Sequence, residues 1–111
     1  MKRRKVSEAR PTKQLPGIVR LTLAHSDLLM LCQYTAQKGS KFPLHNHPAA
    51  QIGYVISGRL RFMGATDADS FEAVVGQSYV FEPYEQHGAE VLEDSTIIEI
   101  FTPCRDEFKE H

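Results

Sequence analysis

Short apolar segments separated by turn residues fill the chain from Leu15 onward. They are rich in β-branched and aromatic residues, and none shows the periodicity of an amphipathic helix. We predict a tight hairpin turn at Ser57-Gly58 and a further break at residues 93–95. Regularly spaced short strands favour an all-β fold, either a sandwich or a barrel. The predicted strands are residues 18–23, 28–36, 52–57, 59–63, 71–75, 78–81, 88–92 and 96–101.

Length and composition limit the chain to one such domain. It has 111 residues, 41% of them hydrophobic, which is enough for one core and too few for two ordinary domains. We expect residues 1–16 to form a flexible basic arm and residues 17–111 to form the barrel domain.

The formal net charge of -1 hides a strongly basic start. A basic arm either binds an anionic surface or is simply solvated. Because it has no interleaved aromatic residues and the chain has no helix-turn-helix pattern, we do not expect a nucleic-acid partner. Against Glu8 alone, residues 1–20 contain Lys2, Arg3, Arg4, Lys5, Arg10, Lys13 and Arg20.

The two cysteines, Cys32 and Cys104, indicate neither a disulfide scaffold nor a thiolate zinc site, since they lack a CxxC spacing. No stretch approaches the roughly 20 apolar residues of a membrane span. The basic start has no apolar run behind it that would make a signal peptide. We therefore expect a cytoplasmic protein with no membrane partner.

Three histidines and one glutamine have the arrangement expected of a metal site. His45 and His47 are two residues apart in a strand-like segment, so both side chains project to the same side. Pro48 interrupts that strand and allows a turn before Gln51, and His87 comes from a separate strand. These donors suit one divalent transition metal ion, such as nickel, zinc, iron, manganese or cobalt. The alternative is that the histidines only cap or pack the mouth of the barrel.

All four proposed ligands are neutral, and this affects which further ligand the metal ion would bind. The full positive charge of a divalent ion would remain uncompensated by the protein. Such a site favours a small anionic molecule in the open coordination positions.

The C-terminal strand carries a lone acid among apolar residues. By strand alternation, Ile97, Glu99 and Phe101 share one face, and Glu99 points into the barrel if the opposite face packs elsewhere. There its pKa can be tuned for proton transfer, and Arg105 follows after a proline. The alternative is an edge strand with a solvated Glu99 and an Arg105 paired with a neighbouring acid.

These spacings resemble those of the cupin superfamily. Residues 39–58 fit its first motif, G-x5-H-x-H-x3-4-E-x6-G, with Gln51 at the glutamate position. Residues 76–91 fit the second motif less closely, because Glu82, Tyr84 and Val91 replace its proline, glycine and asparagine. The resemblance implies a single-domain jelly-roll cupin β-barrel that brings both motifs together.

Within that superfamily, the chain resembles the small KdgF-type pectin-degradation cupins. The resemblance runs from about Gly17 to Phe108 and rests on HNHPAAQ, on EQHGA and on the C-terminal acid-x-F-x-P-x-R signature. It implies a metal-dependent lyase or isomerase that converts an unsaturated uronate into its linear keto form. It also implies site roles: His45, His47, Gln51 and His87 as metal ligands, Glu99 and Arg105 as catalytic residues, and Phe101 and Arg105 as substrate-binding residues.

Two other functions fit the same ligand set. One is a metal-dependent dioxygenase of another small molecule, and the other is a non-catalytic small-ligand-binding or sensor cupin. Small barrels of this type commonly form homodimers, which we expect here too. The candidates for outer-face packing are Tyr54, Ile56, Leu60 and Phe62.

Overall fold

The computed structural model describes residues 1–110 as a β-structure with three short 3-10 turns, at Val6–Glu8, Asp67–Asp69 and Asp106–Phe108. The predicted all-β class is confirmed. The strands are β1 (Thr12–Leu15), β2 (Ile18–His25), β3 (Met30–Ala36), β4 (Lys41–His45), β5 (Ala50–Met63), β6 (Phe71–Val74), β7 (Ser78–Phe81) and β8 (His87–Thr102).

All the strand pairs are antiparallel, and together they form a jelly-roll barrel. The main path through the sheet is β1-β2-β3-β8-β5-β6, while β4 pairs with β8 and β7 pairs with β5. The two long strands organise the fold, because β8 contacts β3, β4 and β5, and β5 contacts β6, β7 and β8. The β5–β8 pair therefore lies at the centre of the sheet.

The predicted hairpin at Ser57-Gly58 is wrong, because β5 continues through it. Gly58 has a φ of 89° and starts a bulge, where the register with β8 shifts. A Cβ at Gly58 would lie 2.2 Å from Ser95 Oγ, so only glycine fits this approach. The break predicted at residues 93–95 is likewise absent, and β8 is continuous.

The bulge reverses which side chains of β5 face inward. Before it, Tyr54 and Ile56 are exposed, as expected for outer-face residues. After it, Leu60 and Phe62 are buried in the core, which corrects their assignment to the outer face. One extra residue on one strand is enough to exchange the two faces.

Part of the expected arm belongs to the sheet. Thr12–Leu15 form β1, which pairs with β2. Further toward the N-terminus, the Arg4 guanidinium contacts the Glu110 carboxylate, which also accepts a 2.7 Å hydrogen bond from the backbone of Arg10. The strand-like segment predicted to carry His45 and His47 is β4, but β4 ends at His45, so His47 lies beyond the strand. Within residues 1–110 no helix is long and apolar enough to span a membrane.

Candidate metal centre

Three imidazoles meet at one end of the barrel. His45 ends β4, His87 begins β8, and the pairing of those strands places the two residues opposite each other. His47 lies in the turn that follows β4. The ring centroids are 4.4 to 5.4 Å apart, and one nitrogen from each ring lies within 4.8 Å of the others.

Backbone carbonyls fix the tautomers of two of these rings. His45 Nδ1 lies 2.7 Å from the carbonyl oxygen of Pro43, and His87 Nδ1 lies 2.7 Å from that of Glu85. A carbonyl only accepts, so each Nδ1 carries the proton and each Nε2 keeps a free lone pair. His87 Nε2 is buried and has no hydrogen-bond partner within residues 1–110. An orphaned buried acceptor of this kind fits a metal ligand.

The environment also favours the neutral form of the His47 and His87 rings, as metal ligation requires. Burial lowers the pKa of His87 to about 4, and the neighbouring His45, His47 and Arg105 add to the effect. Phe81 covers His87 with its ring, nearly parallel at 4.4 Å. Burial, together with the Arg105 charge, also lowers the pKa of His47.

Gln51 connects the histidines to the acid of β8. Its Oε1 lies 2.7 Å from His47 Nε2, and its Nε2 donates a 2.6 Å hydrogen bond to Glu99 Oε2. A glutamate at position 51 would instead bring two carboxylates together in a buried site. The glutamine thus presents its oxygen to the His47 ring as an acceptor and its amide N–H to Glu99 as a donor.

Glu99 lies inside the barrel, and the solvated alternative is wrong. Ile97 and Phe101 are buried beside it on the same face, as the strand alternation predicted. Burial raises the pKa of Glu99 to about 7, although hydrogen bonds from Tyr79 and Gln51 and the Arg105 charge oppose the rise. A carboxyl group with this pKa can both accept and donate a proton near neutral pH.

Two residues that support Glu99 were missed in the sequence. The hydroxyl of Tyr79 donates a 3.0 Å hydrogen bond to Glu99 Oε2. Gly53, which pairs with both residues, leaves the space for that ring, since a Cβ there would lie 2.2 Å from it. In the sequence, Tyr79 is indistinguishable from an ordinary core aromatic residue of a strand.

Arg105 reaches the same cavity from the segment after β8. Its guanidinium lies over the rings of Phe101 and Phe108, at 5.3 and 4.1 Å from their centroids. Its Nε donates a 2.8 Å hydrogen bond to Glu107, so the expected pairing with a neighbouring acid is present as well. The cavity has a volume of about 40 Å³, and its wall includes His45, Gln51, His87, Glu99, Phe101 and Arg105.

The loop before His87 shows why glycine is usual in the second motif. Tyr84 occupies that position with a φ of 63°, in the left-handed region. Its backbone N–H donates a 2.8 Å hydrogen bond to the carbonyl of His47. This bond links the loop to the turn that carries His47 and offsets part of the conformational cost of Tyr84.

Six of the seven proposed site residues therefore line one cavity, and His47 joins them through Gln51. Three imidazole nitrogens and one amide oxygen fit a first-row transition metal ion.

Comparison with known proteins agrees with the observed fold. The cupin domain family matches residues 33–101, and a search of curated proteins found no match.

The structure of KdgF from Halomonas sp. is 29% identical with a TM-score of 0.89, and the match covers 98% of this chain and 99% of that one. An RmlC-like cupin from Shewanella frigidimarina is 24% identical with a TM-score of 0.86, covering 93% and 91%. The polyketide cyclase RemF from Streptomyces resistomycificus is 18% identical with a TM-score of 0.78, covering 95% and 80%. With both motifs and the fold in place, the chain belongs to the cupin domain family.

Proposed function

We propose that this protein uses a divalent transition metal ion to convert an unsaturated uronate into its linear keto form. The observation that carries the proposal is the hydrogen bond between the Gln51 amide and Glu99, which sets an acid beside the ligand cluster. The full-length similarity to KdgF from Halomonas sp. supports the same substrate class.

His45, His47, Gln51 and His87 would hold the ion through neutral donor atoms. When bound, the metal supplies Lewis-acid polarisation of a substrate oxygen. Since the ligands bring no negative charge, the site favours an anionic substrate.

The proposed reaction is an isomerisation that consumes no co-reactant. The bond between the ring oxygen and the anomeric carbon breaks, and the anomeric hydroxyl loses its proton as the aldehyde forms. The former ring oxygen keeps the bonding electrons as an enolate, which becomes a ketone when its carbon gains a proton. Glu99 accepts the first proton and supplies the second, a role that fits its elevated pKa and its fixed position.

Arg105 binds the substrate carboxylate in this proposal. Its Nε is engaged by Glu107, so the terminal nitrogens of the guanidinium remain for the ligand. Phe101 and Phe108 hold the plane of the guanidinium from behind. Phe101 also provides an apolar wall that excludes water from the reacting atoms.

The direct test is turnover of an unsaturated uronate released by a polysaccharide lyase. Turnover is measured as the loss of the absorbance of its double bond. We expect metal-dependent turnover without oxygen uptake. Arg105→Lys keeps the charge but loses the planar fork, so it should chiefly raise KM. Oxygen consumption would indicate a dioxygenase, and ligand binding without turnover would indicate a binding protein; either result contradicts the proposal.

We also propose that the protein forms a homodimer through the outer face of β5, β7 and β8. Ile52, Tyr54, Val80 and Ile100 are exposed there, and Ile98 lies between them. Contiguous exposed apolar surface of this kind marks interaction sites. None of these side chains is charged, so a two-fold axis can bring the face against its own copy without like-charge repulsion.

A further inference from the structure

The inner cavity is too small for the ligand that the proposed function requires. Its volume of about 40 Å³ accommodates about three waters, at the ~10–15 Å³ that each water needs. A sugar acid has a six-membered ring besides its carboxylate. Most of such a ligand must therefore lie outside the inner cavity.

An open groove of about 240 Å³ continues from the inner cavity toward solvent. His45, Phe42, Arg105 and Gln14 line both spaces, so the two adjoin each other. Leu15, Pro43 and Phe108 complete the groove with apolar surface. One wall thus comes from β1, in the segment that the sequence placed outside the barrel.

Gln14 presents a polar group in that groove with a defined orientation. Its Oε1 accepts a 2.8 Å hydrogen bond from Arg20 Nη1. A guanidinium has no acceptor, so the amide oxygen must face Arg20 and the amide nitrogen must point elsewhere. The Gln14 Nε2 group donates no hydrogen bond within residues 1–110, which leaves both of its protons for a ligand.

Arg20 is itself held rigidly. It is 7% exposed, its Nε donates to Thr22 Oγ1 at 3.3 Å, and its guanidinium lies 4.1 Å from the Phe108 centroid. Arg105 lies against Phe108 at the same distance, so two cations flank this ring. No carboxylate within residues 1–110 forms an ion pair with Arg20. Its charge therefore adds to the positive potential that attracts an anionic ligand.

We infer that the outer groove is a second ligand subsite, where the Gln14 amide donates to a ring or hydroxyl oxygen of the sugar acid and Arg20 is its positioning residue. This inference rests on the proposed function, since it assumes an anionic sugar in the inner cavity. The apolar walls contact the carbon face of the ring. The segment before residue 17 thereby contributes to substrate selection.

Calorimetric titration of the metal-loaded protein tests this assignment with two non-reacting probes. D-galacturonate is long enough to enter the groove, whereas oxalate is confined to the inner cavity. Gln14→Met deletes the amide at nearly constant volume and should weaken galacturonate binding about tenfold, with a smaller effect on oxalate, which occupies only the inner cavity that Gln14 also lines. Gln37→Met is the matched control, because it makes the same change at an exposed site outside both spaces.

A second variant guards against a folding defect. Gln14→Glu keeps an acceptor for Arg20 but opposes an anionic ligand, so it should weaken galacturonate binding more than Gln14→Met does. The side-chain amide resonance of Gln14 should also shift more with galacturonate than with oxalate. Equal galacturonate affinity in wild type, Gln14→Met and Gln14→Glu would overturn this inference alone. Failure of the wild type to bind any uronate would overturn the proposed function together with it.

Discussion

Strands β5 and β8 present two faces of opposite character. On the inner face, Gln51 and Glu99 are polar and buried. On the outer face, Ile52 and Ile100 pair across the strands, and both are exposed. At these positions the pattern is the reverse of an ordinary antiparallel sheet, which turns its apolar face inward and its polar face to water.

The buried polar residues and the exposed apolar residues are each energetically unfavourable, which suggests that each has a function. A buried carboxylate loses its hydration, and hydrogen bonds from Gln51 and Tyr79 compensate only part of that loss. Exposed isoleucines leave apolar area in water that a partner would remove. These costs support the proposals that the inner face performs the chemistry and that the outer face mediates association. Variants on either face separate the two roles.

The largest effect is expected from the inner-face ligands. The double variant His45→Ala, His87→Ala removes two of four donors, so metal content and turnover should both fall to background. Because the barrel core is built from apolar strands, the protein should remain folded by circular dichroism, unlike a zinc finger. His25→Ala removes a histidine outside the cluster and should retain full metal content. Full metal occupancy in the double variant would refute the assigned site.

Glu99→Gln should lower turnover by roughly a hundredfold or more. The amide keeps the size of the side chain and removes the group that moves protons. Metal content, measured by atomic emission, should remain at one ion per chain. Glu93→Gln makes the same change at an exposed position of β8 and should behave as wild type. A fully active Glu99→Gln variant would eliminate Glu99 as the acid and base.

Gln51→Glu tests the reason for the glutamine. It adds a negative charge beside the ion, so it should maintain or strengthen metal binding while weakening a bound uronate by about tenfold. It also replaces the donor that holds Glu99 with a second carboxylate. Gln37→Glu adds the same charge at an exposed position and should leave affinity unchanged. Tighter uronate binding by Gln51→Glu would contradict the electrostatic account.

Tyr79→Phe should have a smaller effect on the inner face. Losing one of two donors to Glu99 leaves its carboxylate less well oriented, so kcat should fall up to about tenfold with KM and metal content unchanged. Gly53→Ala should reproduce the loss, because its Cβ would displace the Tyr79 ring. Tyr54→Phe deletes a hydroxyl on the outer face and serves as the control. Equal kcat values in all four proteins would show that Tyr79 does not position Glu99.

The sequence predicts features that depend on local patterns and misses those that depend on tertiary contacts. Strand alternation is local, so the all-β class and the inward direction of Glu99 followed from it. The bulge at Gly58 depends on its close approach to Ser95, which lies 37 residues further along the chain. A local sequence pattern does not reveal such a contact. The predicted hairpin and the outer position of Leu60 failed for that one reason.

The same distinction holds for the candidate site. His45, His47, Gln51 and His87 were identified because their spacing carries the signal. Gln14 has no such spacing, and the role that we infer for it depends on β1 lying beside the groove at the mouth of the barrel. Tyr79 likewise acquires its role from the pairing of β7 with β5, which leaves room for its hydroxyl at Gly53.

On the outer face, Ile52→Lys should leave turnover unchanged and alter association instead. A two-fold axis would bring the new charges of two copies close together in an apolar interface, so the dimer should dissociate. Sedimentation equilibrium should give a dimer for wild type and a monomer for this variant, with equal turnover per metal ion. Val75→Lys adds the same charge at an exposed site outside the face and should remain dimeric. A monomeric wild type would remove association as the reason for the exposed isoleucines, while lost turnover in Ile52→Lys would show that the two faces of β5 and β8 are not independent.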